Sequence, residues 1–160
     1  MNTRIGFGYD IHRFDDSSTL NKKLVLGGIV FANEPSVVAN SDGDVVIHAI
    51  IDALLGASCM GDIGDWFSED SQEFKDIDST LLLKKVLKEV RSLNFIVENV
   101  DLTVVAQEPK LKKTKSDIKA KLEDIIEADV NVKATSPEKV GALGNKEAIA
   151  CFALVNLSKL

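Results

Sequence analysis

Scarcity narrows the possibilities first. The chain has two cysteines in 160 residues, Cys59 and Cys151, both within apolar segments and far apart. That argues against a disulfide-stapled domain or a cysteine-rich zinc module, and it fits reduced, buried thiols. Prolines number three, and no stretch forms a linker, an internal repeat or a low-complexity tract. No apolar run is long enough to cross a bilayer. The amino terminus passes directly into Arg4-Ile5-Gly6-Phe7-Gly8-Tyr9 without a charged-then-apolar leader. The expectation is a cytoplasmic protein that engages no membrane. Positive charge is in deficit, with 19 Lys and Arg against 25 Asp and Glu and a net charge of −6. A general nucleic-acid binder would be basic. A small phosphorylated ligand stays open, because a metal can supply positive charge locally. Catalytic signatures are missing too: there is no Gly-x-Ser-x-Gly elbow, P-loop or dinucleotide fingerprint, and no Cys–His pairing that offers a protein nucleophile.

What remains is an ordinary globular composition, 45% hydrophobic and 28% charged. At this length one domain over residues 1–160 can bury a full core. Thr3 to Asp10 reads as a strand with glycines at alternate positions, Gly6 and Gly8, a mark of close approach by another backbone or a ligand. Asp15 to Lys23 reads as a polar, mobile loop. Leu24 to Phe31 reads as a small hairpin turning at Gly27-Gly28. Helices are expected from just after Asn40 to near Gly56, from the Asp78-Ser79 cap through Leu93, and from about Leu111 to Glu127. The second should bury Leu82, Val86, Leu87 and Val90, and the third Leu111, Ile118, Leu122, Ile125 and Ile126. Strands are expected over Phe95 to Ala106, Val130 to Thr135 and Ala148 to Leu157, the last buried through Cys151 and Phe152. Gly141 to Gly144 reads as a turn. Strands and helices intermix, which is an α/β pattern.

The chain is organised around Asn40 to Asp52. Ser41 or Asp42 can cap the helix that starts there, and Gly43 permits a tight backbone before it. Val45, Val46, Ala49, Ile50, Ala53 and Leu54 form its apolar stripe, while Asp44, His48 and Asp52 form a polar one. His48 is one of only two histidines. The other, His12, stands two residues after Asp10, so in extended chain both project to the same side. Asp10, His12 and His48 are a sufficient ligand set for a catalytic metal with an open position. Zinc fits, and the same ligand types serve non-haem iron. The acidic, turn-rich segment Gly61 to Asp70 holds the only Trp and suits hydrogen bonding to ribose or sugar hydroxyls. Lys112, Lys113 and Lys115 read as a solvated helix face. With no protein nucleophile, the chemistry rests on metal polarisation and positioning, which suits phosphoryl transfer. The competing readings are an iron-dependent oxygenase and a non-catalytic nucleotide-binding trimer whose metal is structural.

Eight motifs stand in one order: Asp10-Ile11-His12; Ser41-Asp42-Gly43-Asp44 with His48; Gly61-Asp62-Ile63-Gly64; Asp78-Ser79; Asn99-Val100-Asp101; Ala106-Gln107-Glu108-Pro109-Lys110; Asn131-Val132-Lys133-Ala134-Thr135; and Glu138. In this the chain resembles the 2-C-methyl-D-erythritol 2,4-cyclodiphosphate synthase family of the non-mevalonate isoprenoid pathway, over essentially its whole length. The resemblance implies cyclisation of 4-diphosphocytidyl-2-C-methyl-D-erythritol 2-phosphate with release of CMP. It implies zinc, or another divalent metal, on Asp10, His12 and His48, and magnesium or manganese on Glu138 bridging the diphosphate. It assigns Asn40 and Ser136 to catalysis. It assigns substrate contacts to Ser41, Asp62, Ile63, Gly64, Phe67, Glu69, Ser71, Ala106, Gln107, Pro109, Lys110, Leu111, Lys112, Ala134 and Thr135. The implied architecture is a single α/β domain, a mixed sheet with helices on one face. The sheets face the axis of a homotrimer, and the sites lie between subunits. Four positions depart from the family pattern. Asn40 stands where histidine is usual, Ser136 where threonine is usual, and Ala142 and Asn145 where Phe and Arg often line an axial cavity for isoprenoid diphosphates.

Overall fold

The computed structural model describes residues 3–15, 22–68 and 70–159. Strand β1 (Thr3–Arg13) is followed by the hairpin β2 (Leu24–Leu26) and β3 (Ile29–Phe31). Helix α1 (Val45–Ser58), the short α2 (Ile63–Trp66) and α3 (Ser79–Ser92) come next. Strand β4 (Phe95–Val105), α4 (Lys115–Ile126), β5 (Asp129–Thr135), the one-turn α5 (Gly141–Gly144) and β6 (Ala148–Lys159) complete the order. One four-stranded sheet runs β1-β6-β4-β5. Its pairs are antiparallel except β4–β5, which is parallel and joined through α4. The part of the Asp15 to Lys23 loop covering residues 16–21 lies outside the described residues. No helix among the described residues is long and apolar enough to cross a membrane.

The alternating glycines of β1 are explained by α1. A Cβ on Gly6 would stand 1.8 Å from the Ala53 carbonyl oxygen, and one on Gly8 would stand 1.9 Å from that of Ala49. Helix and strand therefore meet backbone to backbone, and only glycine allows it. The helix carries more than an apolar stripe: Ile47, Ile50, Ile51, Leu54 and Leu55 are all fully buried, so it is the hydrophobic centre of the domain. It runs to Ser58, a half-turn beyond the expected end at Gly56. Helices α3 and α4 bury the residues their periodicity indicates, and Leu111 sits in a separate 3₁₀ turn ahead of α4. The glycine pair Gly27-Gly28 takes positive φ at the β2–β3 turn, as a two-residue hairpin requires.

All these helices lie on one face of the sheet. Among the described residues nothing covers the other face, which carries Ile5, Phe7, Tyr9, Ile11, Phe152 and Leu154, each at least 40% exposed. Phe152 is thus exposed rather than buried as its sequence context suggests, because inward residues of β6 are the odd-numbered ones. Cys59 is also exposed, at the left-handed C-cap of α1, where the Arg4 guanidinium donates to its sulfur at 3.1 Å. Cys151 is buried as expected.

A candidate metal centre and a second cleft

Asp10 and His12 project from the end of β1 towards α1, and His48 projects from the first turns of α1 to meet them. Asp10 Oδ2 lies 2.9 Å from His12 Nε2 and 3.1 Å from His48 Nδ1, and the two imidazole nitrogens are 3.1 Å apart. Three ligand atoms on a tetrahedral zinc would be separated by about 3.3 Å, given bonds of ~2.0–2.1 Å. The triangle fits a metal's trigonal face with little adjustment, and it is the one group among the described residues with this geometry. Burial works to raise the Asp10 carboxyl, but hydrogen bonds from His12 and His48 outweigh it and hold it well below the usual range. Burial likewise works to lower His48, yet the hydrogen bond and charge of Asp10 raise it.

Neither other member of the polar stripe joins the metal set. Asp44, rather than Ser41 or Asp42, is the N-cap of α1. Its carboxylate accepts from Val46 and Ile47 N–H at 3.1 Å and from Gly27 and Gly28 N–H at 2.8 and 2.7 Å. Four donors pin the hairpin turn to the helix start. Burial, and then the neighbouring Asp42, push the Asp44 carboxyl up to about 6 against the pull of those N–H groups. Asp52 points away and accepts from Ile63 N–H at 3.1 Å, which anchors α2.

The triad opens into a cavity of about 330 Å³ lined by Tyr9, Val38, Ala39, Asn40, Ser41, Ile63, Gly64, Phe67, Phe74 and Leu82. Asn40, Ser41, Ile63, Gly64 and Phe67 are thus brought together with the triad. Tyr9, Phe74 and Leu82 were missed: Leu82 read as part of a buried helix face, and Tyr9 and Phe74 carried no polar or metal-binding signal. Asp62 sits beside the cavity as N-cap of α2, in a reciprocal capping box with Asp65. Ser71 stands outside the lining, and its carbonyl receives the Asn40 amide at 3.4 Å. Glu69 lies outside the described residues.

A second cavity, of about 180 Å³, gathers Ala106, Pro109, Lys110, Leu111, Lys112, Ala134, Thr135 and Ser136, with Val104 and Lys115. Lys115 was read as solvated face; it is half-buried at the start of α4 and faces this space. Gln107 is not part of this lining; its side-chain oxygen accepts from Lys139 N–H at 3.0 Å. Glu138 lines neither cavity; it is exposed, with φ of 53°, and its N–H donates to Ser136 Oγ at 3.1 Å. The two cavities are far apart within one chain. Asp10, Cys151, Val104 and Ala134 form one row across the sheet, so the triad and the second cavity are three strand spacings apart, about 14 Å.

Fold and triad define an α/β protein whose Asp-His-His cluster, at the mouth of an open cleft, could hold a metal ion. The chain belongs to the YgbB family, whose model matches residues 3–158. It is 44% identical over 164 residues to the 2-C-methyl-D-erythritol 2,4-cyclodiphosphate synthase of Shewanella piezotolerans, with all of both chains covered. Its structure resembles that of the Plasmodium falciparum IspF–CDP complex at a TM-score of 0.84 and 34% identity, covering 99% of this chain and 97% of that one. It also resembles the bifunctional IspDF of Campylobacter jejuni at a TM-score of 0.93 and 36% identity, covering 99% of this chain but spanning only 43% of that longer protein.

Proposed function

We propose that this chain, acting as one domain over residues 1–160, cyclises 4-diphosphocytidyl-2-C-methyl-D-erythritol 2-phosphate to the 2,4-cyclodiphosphate. An oxygen of the 2-phosphate attacks the β-phosphorus. The bond from that phosphorus to the bridging oxygen breaks, and CMP departs with that oxygen. The convergence of Asp10, His12 and His48 at a cleft mouth, in a chain of this family, is the observation that carries the reading.

Asp10, His12 and His48 would hold zinc. Glu138, a lone exposed carboxylate, suits a magnesium or manganese ion held mainly by substrate phosphates. Bound there, the two ions would neutralise the phosphates and the charge on departing CMP. The chain's own groups orient the reactants. Asn40 offers an amide N–H to the 2-phosphate where a histidine is usual, without the positive charge. Ser136 accepts from Glu138 N–H, which leaves its hydroxyl proton for a phosphate oxygen. Asp62 uses one oxygen in its cap, so the other is free for a ribose hydroxyl. Phe67, with Glu69 and Ser71 nearby in sequence, shields the methylerythritol part. Lys110, Lys112 and Thr135 surround the cytidine and diphosphate with Ala106, Pro109, Leu111 and Ala134.

The active unit is a homotrimer with shared sites. Two features support this. The sheet face carrying Ile5, Phe7, Tyr9, Ile11, Phe152 and Leu154 is too apolar to leave in water and suits burial against two further copies. The metal and nucleotide halves stand at opposite sheet edges but at one level, so a cyclic arrangement can bring the β1 edge of one copy to the β5 edge of the next.

CMP release from the diphosphocytidyl substrate tests the reaction. Subunit mixing tests the sharing. His12→Ala and Glu138→Ala chains, each inactive alone, are dissociated, mixed equally and allowed to reassemble. Three-quarters of random trimers are mixed, each with one repaired junction in three, so about a quarter of wild-type activity returns. No recovery despite proven exchange would leave the metal triad and remove the shared site.

A further inference from the structure

The imidazole of His48 offers Nδ1 to the triad, and its other nitrogen meets a buried polar chain. His48 Nε2 lies 2.9 Å from Ser79 Oγ. Ser79 is fully buried in the first turn of α3. Its hydroxyl lies 2.5 Å from Asp42 Oδ1. Both Asp42 oxygens already act as acceptors: Oδ1 takes the Asp44 N–H at 3.1 Å and Oδ2 the Ser79 N–H at 3.0 Å. The Ser79 hydroxyl donates to Asp42 Oδ1, so its one proton is used there. Ser79 Oγ can then only accept from His48, which puts the ring proton on Nε2 and leaves the Nδ1 lone pair aimed at Asp10 and His12. Ser41 Oγ, 3.2 Å from the same Nε2, accepts the Gly43 N–H and is a weaker second acceptor.

We propose that Asp42 and Ser79 are positioning residues for the metal centre: a carboxylate–hydroxyl relay from the loop before α1, through the first turn of α3, that locks His48 in the tautomer able to bind metal through Nδ1. The relay also fixes the ring's direction, because α3 is tied to the same loop by Asp42 N–H to the Ile77 carbonyl at 3.1 Å. Outer partners of this kind typically change metal affinity by about 10–100-fold. The inference rests on Asp10, His12 and His48 being metal ligands.

The experiment measures binding of zinc alone, with no substrate, by metal-free protein competing against a chromophoric chelator at fixed pH. Ser79→Ala should weaken zinc about 10–100-fold, and Asp42→Ala should weaken it as well. The Ser79→Ala/Asp42→Ala double variant should bind no more weakly than Ser79→Ala, because Asp42 acts on the metal only through the hydroxyl. A merely structural role for Asp42 would instead lower thermal stability without this non-additivity in zinc affinity. Ser79→Thr, which keeps the hydroxyl, should restore binding. Histidine ¹⁵N spectra of the zinc-loaded wild type need no variant and should show zinc on Nδ1 and the proton on Nε2 of His48. Wild-type zinc affinity in Ser79→Ala, full additivity in the double variant, or zinc on Nε2 would each overturn the relay while leaving the triad intact. A wild type that binds no divalent metal would overturn both.

Discussion

Gly8→Ala is the most informative single change, because it converts one methyl group into a displacement of the candidate metal centre. The added Cβ would fall 1.9 Å from the Ala49 carbonyl oxygen. A tolerable carbon–oxygen contact is about 3.3 Å, so β1 and α1 must part by roughly 1.4 Å at that point. Gly8 is two residues from Asp10, and Ala49 is the neighbour of His48. The separation is therefore delivered almost undiminished to the gap between the two halves of the triad. Metal sites accept ligand distances within about ±0.2 Å, so His48 can no longer share an ion with Asp10 and His12. Zinc affinity should fall by more than the ~100-fold that marks loss of an outer partner. Overpacking should also cost about 1–3 kcal/mol of stability. Zinc titration against a chelator, with thermal melts of the metal-free protein, separates the two effects. Gly56→Ala is the control. It lies in the same helix with nothing within 4 Å of an added Cβ, so it should leave zinc unchanged and stabilise by up to about 1 kcal/mol. A folded Gly8→Ala protein with wild-type zinc affinity would refute the rigid coupling of β1 and α1 to the triad.

Other outcomes are expected. Glu138→Gln should keep zinc but weaken or abolish magnesium dependence along with activity; an unchanged magnesium titration would put the second ion elsewhere. Farnesyl diphosphate should bind weakly or not at all, since Ala142 and Asn145 offer neither aromatic contact nor positive charge; calorimetry showing a Kd of about 1 μM or tighter would contradict this. Asp44 has a folded-state pKa raised to about 6, so the native carboxyl keeps its proton longer than the unfolded one as pH rises. Its contribution is most favourable below about pH 4 and is lost by about pH 6, a swing of roughly 3 kcal/mol. Urea unfolding of wild type minus Asp44→Asn across that range should reveal the slope, and a flat difference would show that the four N–H donors fully offset burial.

The convergence of the candidate metal ligands was legible because extended and helical spacing are local properties. The period of two in β1 aligns Asp10 with His12, and the paired glycines upstream announce the close helix that brings His48. The cap was misjudged for a physical reason. Ser41, Asp42 and Asp44 are all competent acceptors, and the choice depends on Gly27 and Gly28, which sequence distance hides. The polar stripe of α1 is likewise explained by hidden partners, Gly27 and Gly28 for Asp44 and Ile63 for Asp52. Residues whose role depends on a fold-wide relation, such as Tyr9, Phe74 and Lys115, carry no local mark. The separation of the two clefts follows from the strand order β1-β6-β4-β5, which no local pattern specifies.

That strand order also dictates when the protein can come into being. The central strand β6 is the last element in the chain, and it joins β1 to β4 from Thr3↔Ser158 to Arg13↔Ala148. During synthesis, β1 with Asp10 and His12 must wait for its β6 partner, which begins only at Ala148. The loop closed by this pairing is almost as long as the chain, which is a slow step in folding. Until it closes, β1 presents a glycine-rich edge and a row of large apolar side chains to whatever else is nearby. A chain cut short before β6 could still form its helices and the β4–β5 pair, but Asp10 and His12 would remain unanchored, so the candidate metal centre is assembled only as β6 docks.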